Sequence, residues 1–194
     1  MNALVCAESG FRVGGEINHN RALGGNSGMA ITFRLLVKAK ILGERVVNGK
    51  REYYNIRGSW FTICMDRKFT SLALAFKLYS LKIMVIGTCK TNQYDWPAEM
   101  RPKEMKKLPI GTTRHAFLKN GPVVAMAWCC KADGKATKAV KSKVVYILTT
   151  MDEFQYGREF SYMVPGNEQT KRPGMVLAYN QRKPFVDKLN QQLR

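Results

Sequence analysis

This sequence predicts an α/β fold carrying an added β-rich stretch, on three observations. Phe61–Met65 is a short apolar run ending at Asp66, and Ile83, Met84, Val85 and Ile86 form a second run ending at Gly87. Short apolar runs closed by turn residues suit buried strands. Between them Leu72, Leu74, Phe76, Leu78 and Leu81 follow Thr70 and Ser71, either of which can cap a helix. The result is a strand–turn–helix–strand unit with a carboxylate at the end of its first strand, the edge where open α/β sheets collect ligands. From spacing alone Asp66 reads first as a turn or capping residue. The third observation lies beyond residue 92, where strands predicted at 114–118, 123–130 and 144–150 alternate with turns at Lys119-Asn120-Gly121-Pro122 and Ala132-Asp133-Gly134-Lys135.

Taken in order, the chain opens on an apolar strand at Ala3, Leu4, Val5 and Cys6, so an element belonging before it is expected upstream. Gly14-Gly15 is followed by no Lys-Ser/Thr pair, which excludes a phosphate-binding loop there. Asn18-His19-Asn20 reads as loop polarity rather than metal ligation. Residues 31–41 are densely apolar with Arg34, Lys38 and Lys40 interleaved, and a run this short suits either a helix or a strand. Asn48-Gly49 between Val46-Val47 and Tyr53-Tyr54 predicts a hairpin. Trp128, in an apolar strand, reads as core. Asp152 and Glu153 are adjacent, and on a strand they would face opposite ways, so neither is assigned to a site. Asp187 begins a polar run read as the first two turns of a helix.

The charge sets the class of partner. Thirty-two Lys and Arg against 14 Asp and Glu give +18, spread over both halves of the chain. A surplus of that size opposes compaction unless a polyanion sits nearby, and nucleic acid is the simplest such partner. Lys131, Lys135, Lys138, Lys141 and Lys143 share one loop with a single Asp133, a candidate phosphate contact or a solvated hairpin tip. Five Cys without a CxxC pair and two distant His argue for reduced thiols and against zinc. No apolar run approaches the ~20 residues of a membrane span, so no membrane partner is expected.

Met65-Asp66-Arg67-Lys68-Phe69-Thr70-Ser71, then Ile86-Gly87-Thr88-Cys89-Lys90-Thr91-Asn92, Pro97, and Ala178-Tyr179-Asn180 leading to Val186-Asp187 together resemble the piggyBac-type transposases. That family shows D-N-x-[FY]-T-S, G-T-x-R-x-N and Y-N-x-x-x-G-G-V-D-x-x-D in this order. The resemblance covers most of the chain and implies a truncated ribonuclease-H-like core with an inserted β-rich module. Residues 1–92 would form the first part of the core, with its first strand absent. Residues 93–173 would be the basic insert and 174–194 the return to the core.

The resemblance also implies a DDE-type DNA transposase site, with three Asp residues holding Mg²⁺ or Mn²⁺. Two cations about 4 Å apart would activate the attacking oxygen and stabilise the leaving one. Asp66 matches the second Asp and Asp187 the third, which would bring them within about 8 Å of each other. The first Asp falls upstream of Ala3. Arg67 stands where the family has Asn, Pro184-Phe185 where it has Gly-Gly, and Asn190 where it has its last Asp.

The leading reading is therefore a transposase-derived, nuclear domain that binds DNA and is inactive alone, with a second copy or a related transposase chain as a further partner. Two others stand beside it. One is an active metal-dependent nuclease or transposase completed by a missing segment or partner chain. The other is a basic nucleic-acid-binding module unrelated to transposases.

Overall fold

The apolar runs fold as a layered α/β unit. The computed structural model describes residues 2–5, 12–16, 28–90, 96–119, 121–131, 142–155, 161–162 and 172–192, with side chains over 28–90, 96–119, 121–131, 142–154 and 172–184. In chain order the elements are β1 (Asn2–Val5), β2 (Arg12–Glu16), α1 (Gly28–Lys38), β3 (Leu42–Val47), β4 (Lys50–Asn55), β5 (Phe61–Met65), α2 (Leu72–Tyr79) and β6 (Ile83–Thr88). A 3₁₀ turn (Ala98–Met100) and α3 (Pro102–Met105) follow, then β7 (Thr113–Phe117), β8 (Val124–Lys131), β9 (Ser142–Thr149) and α4 (Asp152–Gln155). The short β10 (Ser161–Tyr162) and β11 (Arg172–Pro173) precede α5 (Gly174–Gln192).

One five-stranded sheet, in the order β5-β6-β9-β8-β7, carries the architecture. β5 and β6 are parallel, and every other neighbour pair is antiparallel. Strand alternation divides its side chains between two layers. Ile63, Met65, Val85, Ala127, Cys129, Tyr146 and Leu148 pack with α1, α2 and α3. Cys64, Ile86, Met126 and Ile147 pack with Met175, Val176 and Tyr179 of α5. The seam between β6 and β9 is fixed by Thr149 and Thr150. The Thr149 hydroxyl donates to the Val85 carbonyl at 2.8 Å, and the Val85 N–H donates to the Thr150 hydroxyl at 2.8 Å. Two buried polar side chains are thereby satisfied, as a dry interior requires.

Several sequence expectations take definite form here. The ambiguous run at 31–41 is the helix α1, buried through Ile31, Phe33, Leu35 and Leu36. The hairpin is present, with Val47 opposite Lys50. Asn48 (φ 50°) and Gly49 (φ 72°) both take the positive φ that a two-residue hairpin turn demands. Trp128 packs against the α5-side core.

β9 pairs directly with β6, so β7, β8 and β9 extend the sheet that begins with β5. Two expectations are corrected. The last helix does not begin at Asp187. It starts at Gly174, because Met175, Val176, Ala178 and Tyr179 form an apolar stripe buried against the sheet. Asp152 and Glu153 stand on the short helix α4 rather than on a strand. Asn18-His19-Asn20 lies outside the described residues. Among the described residues, no helix is long and apolar enough to cross a membrane.

Candidate functional site

Asp66 follows the last residue of β5 and is exposed, although Thr62 to Met65 just before it are buried. The turn behind it is tightly tied. Its carbonyl accepts from the Phe69 N–H at 2.9 Å, the Thr70 N–H at 3.2 Å and the Thr70 hydroxyl at 3.1 Å. Thr70 is buried, and Ser71, rather than Thr70, caps α2 by accepting from the Leu74 N–H at 3.3 Å. Backbone and side-chain bonds thus hold the Asp66 main chain while its carboxylate stays in solvent.

The second motif abuts this turn through Gly87. A Cβ built there would lie 2.7 Å from the Met65 carbonyl and closer still to the Thr70 hydroxyl, both well inside van der Waals contact. Only glycine allows β6 to pass so close, so the glycine of one motif leaves the space that the threonine of another fills. The third motif reaches the same place. Thr88, next after Gly87, has its hydroxyl 3.4 Å from that of Tyr179 on α5. Since Met65 pairs with Gly87, Asp66 leaves its strand level with Thr88. Strand alternation places position 66 on the α5 side of the sheet, the side of Cys64.

The first and last motifs therefore converge on Asp66 through Thr70, Gly87, Thr88 and Tyr179. Sequence reasoning read Thr70 as a possible helix cap and Gly87 as a strand end, but gave none of the four a role beside Asp66; the order of the motifs was the signal that could have found it. Asp187 belongs to α5, eight residues past Tyr179 and so ~12 Å further along the helix axis. Its side chain lies outside the described residues, and so does the expected Asp66–Asp187 separation. Pro184 stands inside the same helix.

Of the five candidate DNA-contacting lysines, Lys131 ends β8 and is exposed, and Lys143, near the start of β9, is half-buried. Lys135, Lys138 and Lys141 lie outside the described residues. The sheet puts the two described lysines at the same end as Asp66, because β8 runs in the same direction as β5 and β6. Thr88 is level with Ile147 and Ile147 with Met126, so the β8–β9 ribbon runs on past Asp66 by about five residues, or ~16 Å.

As a metal site, the described residues at the end of β5 supply the exposed carboxylate of Asp66, with Arg67 next to it in the chain. No cluster of three metal-ligating side chains occurs among the described residues. Mg²⁺ is commonly held by one or two carboxylates, with water and substrate phosphate completing the shell. Asp66 fits that partial role and not a protein cage. A cavity of about 130 Å³ is lined by apolar residues, Leu72, Trp96, Phe117 and Leu148 among them, and offers no titratable side chain.

The sequence model of the family described as transposase IS4 matches residues 53–194, a span that takes in all three motif segments. The chain belongs to that transposase family. It is also similar in structure to a piggyBac transposase seen by cryo-EM in a synaptic complex with hairpin DNA, at 26% identity and a TM-score of 0.66. The likeness covers 96% of this chain and 32% of that one, so the chain spans about a third of that transposase's length. No curated protein sequence matches. The α/β arrangement is thus that of a ribonuclease-H-like core of the piggyBac type, and this is a transposase-derived domain. The reading of a basic module unrelated to transposases is set aside by the family match.

Proposed function

We propose that this transposase-family domain binds duplex DNA through its phosphates with little sequence preference, and that the 194 residues by themselves neither cut nor join strands. One observation carries the binding half: Lys131 and Lys143 lie at the same end of the sheet as the exposed Asp66, in a chain of net charge +18. The similar structure is named as a transposase complex with hairpin DNA, which supports the same partner here. A nuclear location and a second transposase chain belong to this proposal.

The catalytic half concerns ligands. Asp66 and Asp187 supply two of the three carboxylates that the family resemblance calls for. Mg²⁺ or Mn²⁺, when bound, would activate the attacking oxygen and neutralise charge on the phosphate. The bonds to the Asp66 carbonyl fix the main chain from which its carboxylate would reach such a cation. Arg67 places a fixed positive charge next to it, which opposes a cation and favours a phosphate.

Anisotropy with a labelled duplex tests binding. Affinity should fall steeply between low and physiological salt and hardly differ between sequences, and replacing lysines at 131–143 should weaken all sequences alike. A flat salt response removes the phosphate contacts. Plasmid nicking in Mg²⁺ or Mn²⁺ tests the other half: no cleavage is expected, and Arg67→Asn should not restore it. Metal-dependent nicking by the purified chain, abolished by Asp66→Ala or Asp187→Ala, overturns the inactivity and favours an active nuclease.

A further inference from the structure

A second group of cations stands on the opposite face of the same sheet end, outside the lysine loop. Met100 and Met105 are buried and plug the 3₁₀ turn and α3 into the core. The Tyr146 hydroxyl donates to the Met100 carbonyl at 2.7 Å, and the Cys129 thiol lies 3.6 Å from the Leu108 carbonyl. Around these anchors Arg101, Lys103, Lys106 and Lys107 are exposed. Arg114, opposite Ala127 on β7, reaches over to donate to the Glu99 carbonyl at 2.9 Å. Lys131 is on the same face, two residues beyond Cys129.

The acidic groups in this segment do not cancel that charge. Glu99 and Glu104 face five cations there, and Lys107 donates to both Glu104 oxygens at 2.9 and 2.8 Å. The Glu104 carboxyl is held below its usual range by that bond, with the charges of Lys107, Lys103 and Arg114 adding to it. Lys103 and Lys106 make no such bond within the described residues, and their backbone is fixed by the buried methionines. Cations held on a rigid platform lose little freedom on meeting a phosphate.

We infer that Arg101, Lys103, Lys106 and Arg114 form a phosphate-contacting surface for a duplex, which meets the lysine loop only at Lys131 and lies on the face of the sheet opposite Asp66. This rests on the DNA-binding reading above and deepens it by naming where the backbone lies.

The test compares the full 194-residue chain with two double variants of equal charge change, using a labelled 20-base-pair duplex at increasing salt. Lys103→Gln/Lys106→Gln removes two cations of the platform. Arg57→Gln/Lys77→Gln removes two exposed ones from the loop before β5 and from α2, away from the platform. Loss of two phosphate contacts should lower the slope of log affinity against log salt by up to about 2 in the first variant, and leave it unchanged in the second. If wild type binds with a steep slope and the platform variant keeps it, the surface is wrong while the DNA reading stands. Equal losses in both variants mean diffuse attraction and also overturn it. A wild-type chain without salt-dependent binding sinks the DNA reading itself, and the surface with it. All four replaced side chains are exposed, and unchanged melting would show that the fold is kept.

Discussion

Gly87 and Thr70 divide one small space between β6 and the turn that presents Asp66, so each residue limits the other. Replacing Gly87 by Ala forces a methyl against the Met65 carbonyl and the Thr70 hydroxyl, an overpacking that costs about 1–3 kcal/mol. Thr70→Ala relieves one of the two clashes, so the double variant should lose less than the sum of the single losses. Additive losses in urea denaturation would show that the two do not share that space. Cys89 gives a pH dependence at the same scale. Burial pushes its thiol from 9.0 up to about 12, so the folded state holds the neutral form to higher pH than the unfolded chain. The stability from its burial is whole below pH 9 and is lost as pH rises towards 12, reaching about 1.4 kcal/mol of loss at pH 10. Tyr146, raised from 10.0 to about 12 by burial, adds in the same direction. Cys89→Ala should flatten the fall in urea stability between pH 8 and pH 10; an unchanged slope would assign the loss elsewhere.

Helix ends and turns show how much was legible in the sequence. The hairpin at Asn48-Gly49 was readable because type I′ geometry needs positive φ at two successive residues, a requirement local to four positions. β5, α2 and β6 were readable for the same reason: each apolar run ends at its own Asp, Ser or Gly signal. The strand runs after residue 92 were also visible, but not their partner. Pairing of β9 with β6 depends on Ile86 meeting Thr149 across 63 residues of chain, and no local pattern encodes that. The start of α5 was missed because its first turn follows Pro173 and looks like an apolar return strand until Met175, Val176, Ala178 and Tyr179 are seen on one buried face. At the site, Asp66 was legible by motif, whereas the convergence of Thr70, Gly87, Thr88 and Tyr179 on it was not, since it is made by three separate elements. α1 supplies a test at this scale. Its end is a Schellman turn in which the Ile41 N–H reaches the Leu36 carbonyl at 3.0 Å and the Lys40 N–H the Val37 carbonyl at 2.9 Å. Lys40 sits there at φ 55°, a conformation that costs a residue with a Cβ about 1–2 kcal/mol. Lys40→Gly should therefore raise the melting temperature by about 2–4 °C per kcal/mol gained. A lower melting temperature would mean that the lysine side chain contributes more than its backbone strain removes.

At the scale of the whole molecule the net charge of +18 dominates, because it opposes the compact state regardless of which cation is considered. The described ion pairs offset little of it. Arg45–Glu52, Arg51–Glu44 and Lys107–Glu104 are all solvent-exposed, and exposed pairs contribute ~0–1 kcal/mol each. Repulsion among the remaining cations is long-ranged at low salt, where the screening length is ~30 Å at 0.01 M, and short at 0.15 M, where it is ~8 Å. The folded chain should therefore melt at a higher temperature as sodium chloride rises from 10 to 150 mM, the opposite of what loss of its ion pairs would produce. A short duplex at 10 mM salt should raise the melting temperature as well, because a ligand that binds only the folded state stabilises it by mass action. The duplex effect should then shrink at 150 mM as phosphate contacts are screened. These two salt effects have opposite signs, which separates them from a general influence of salt on solubility. A melting temperature that falls with salt in the free chain would mean that favourable pairs outweigh the repulsion, and the charge would then have to be balanced by contacts within the protein rather than by a bound polyanion.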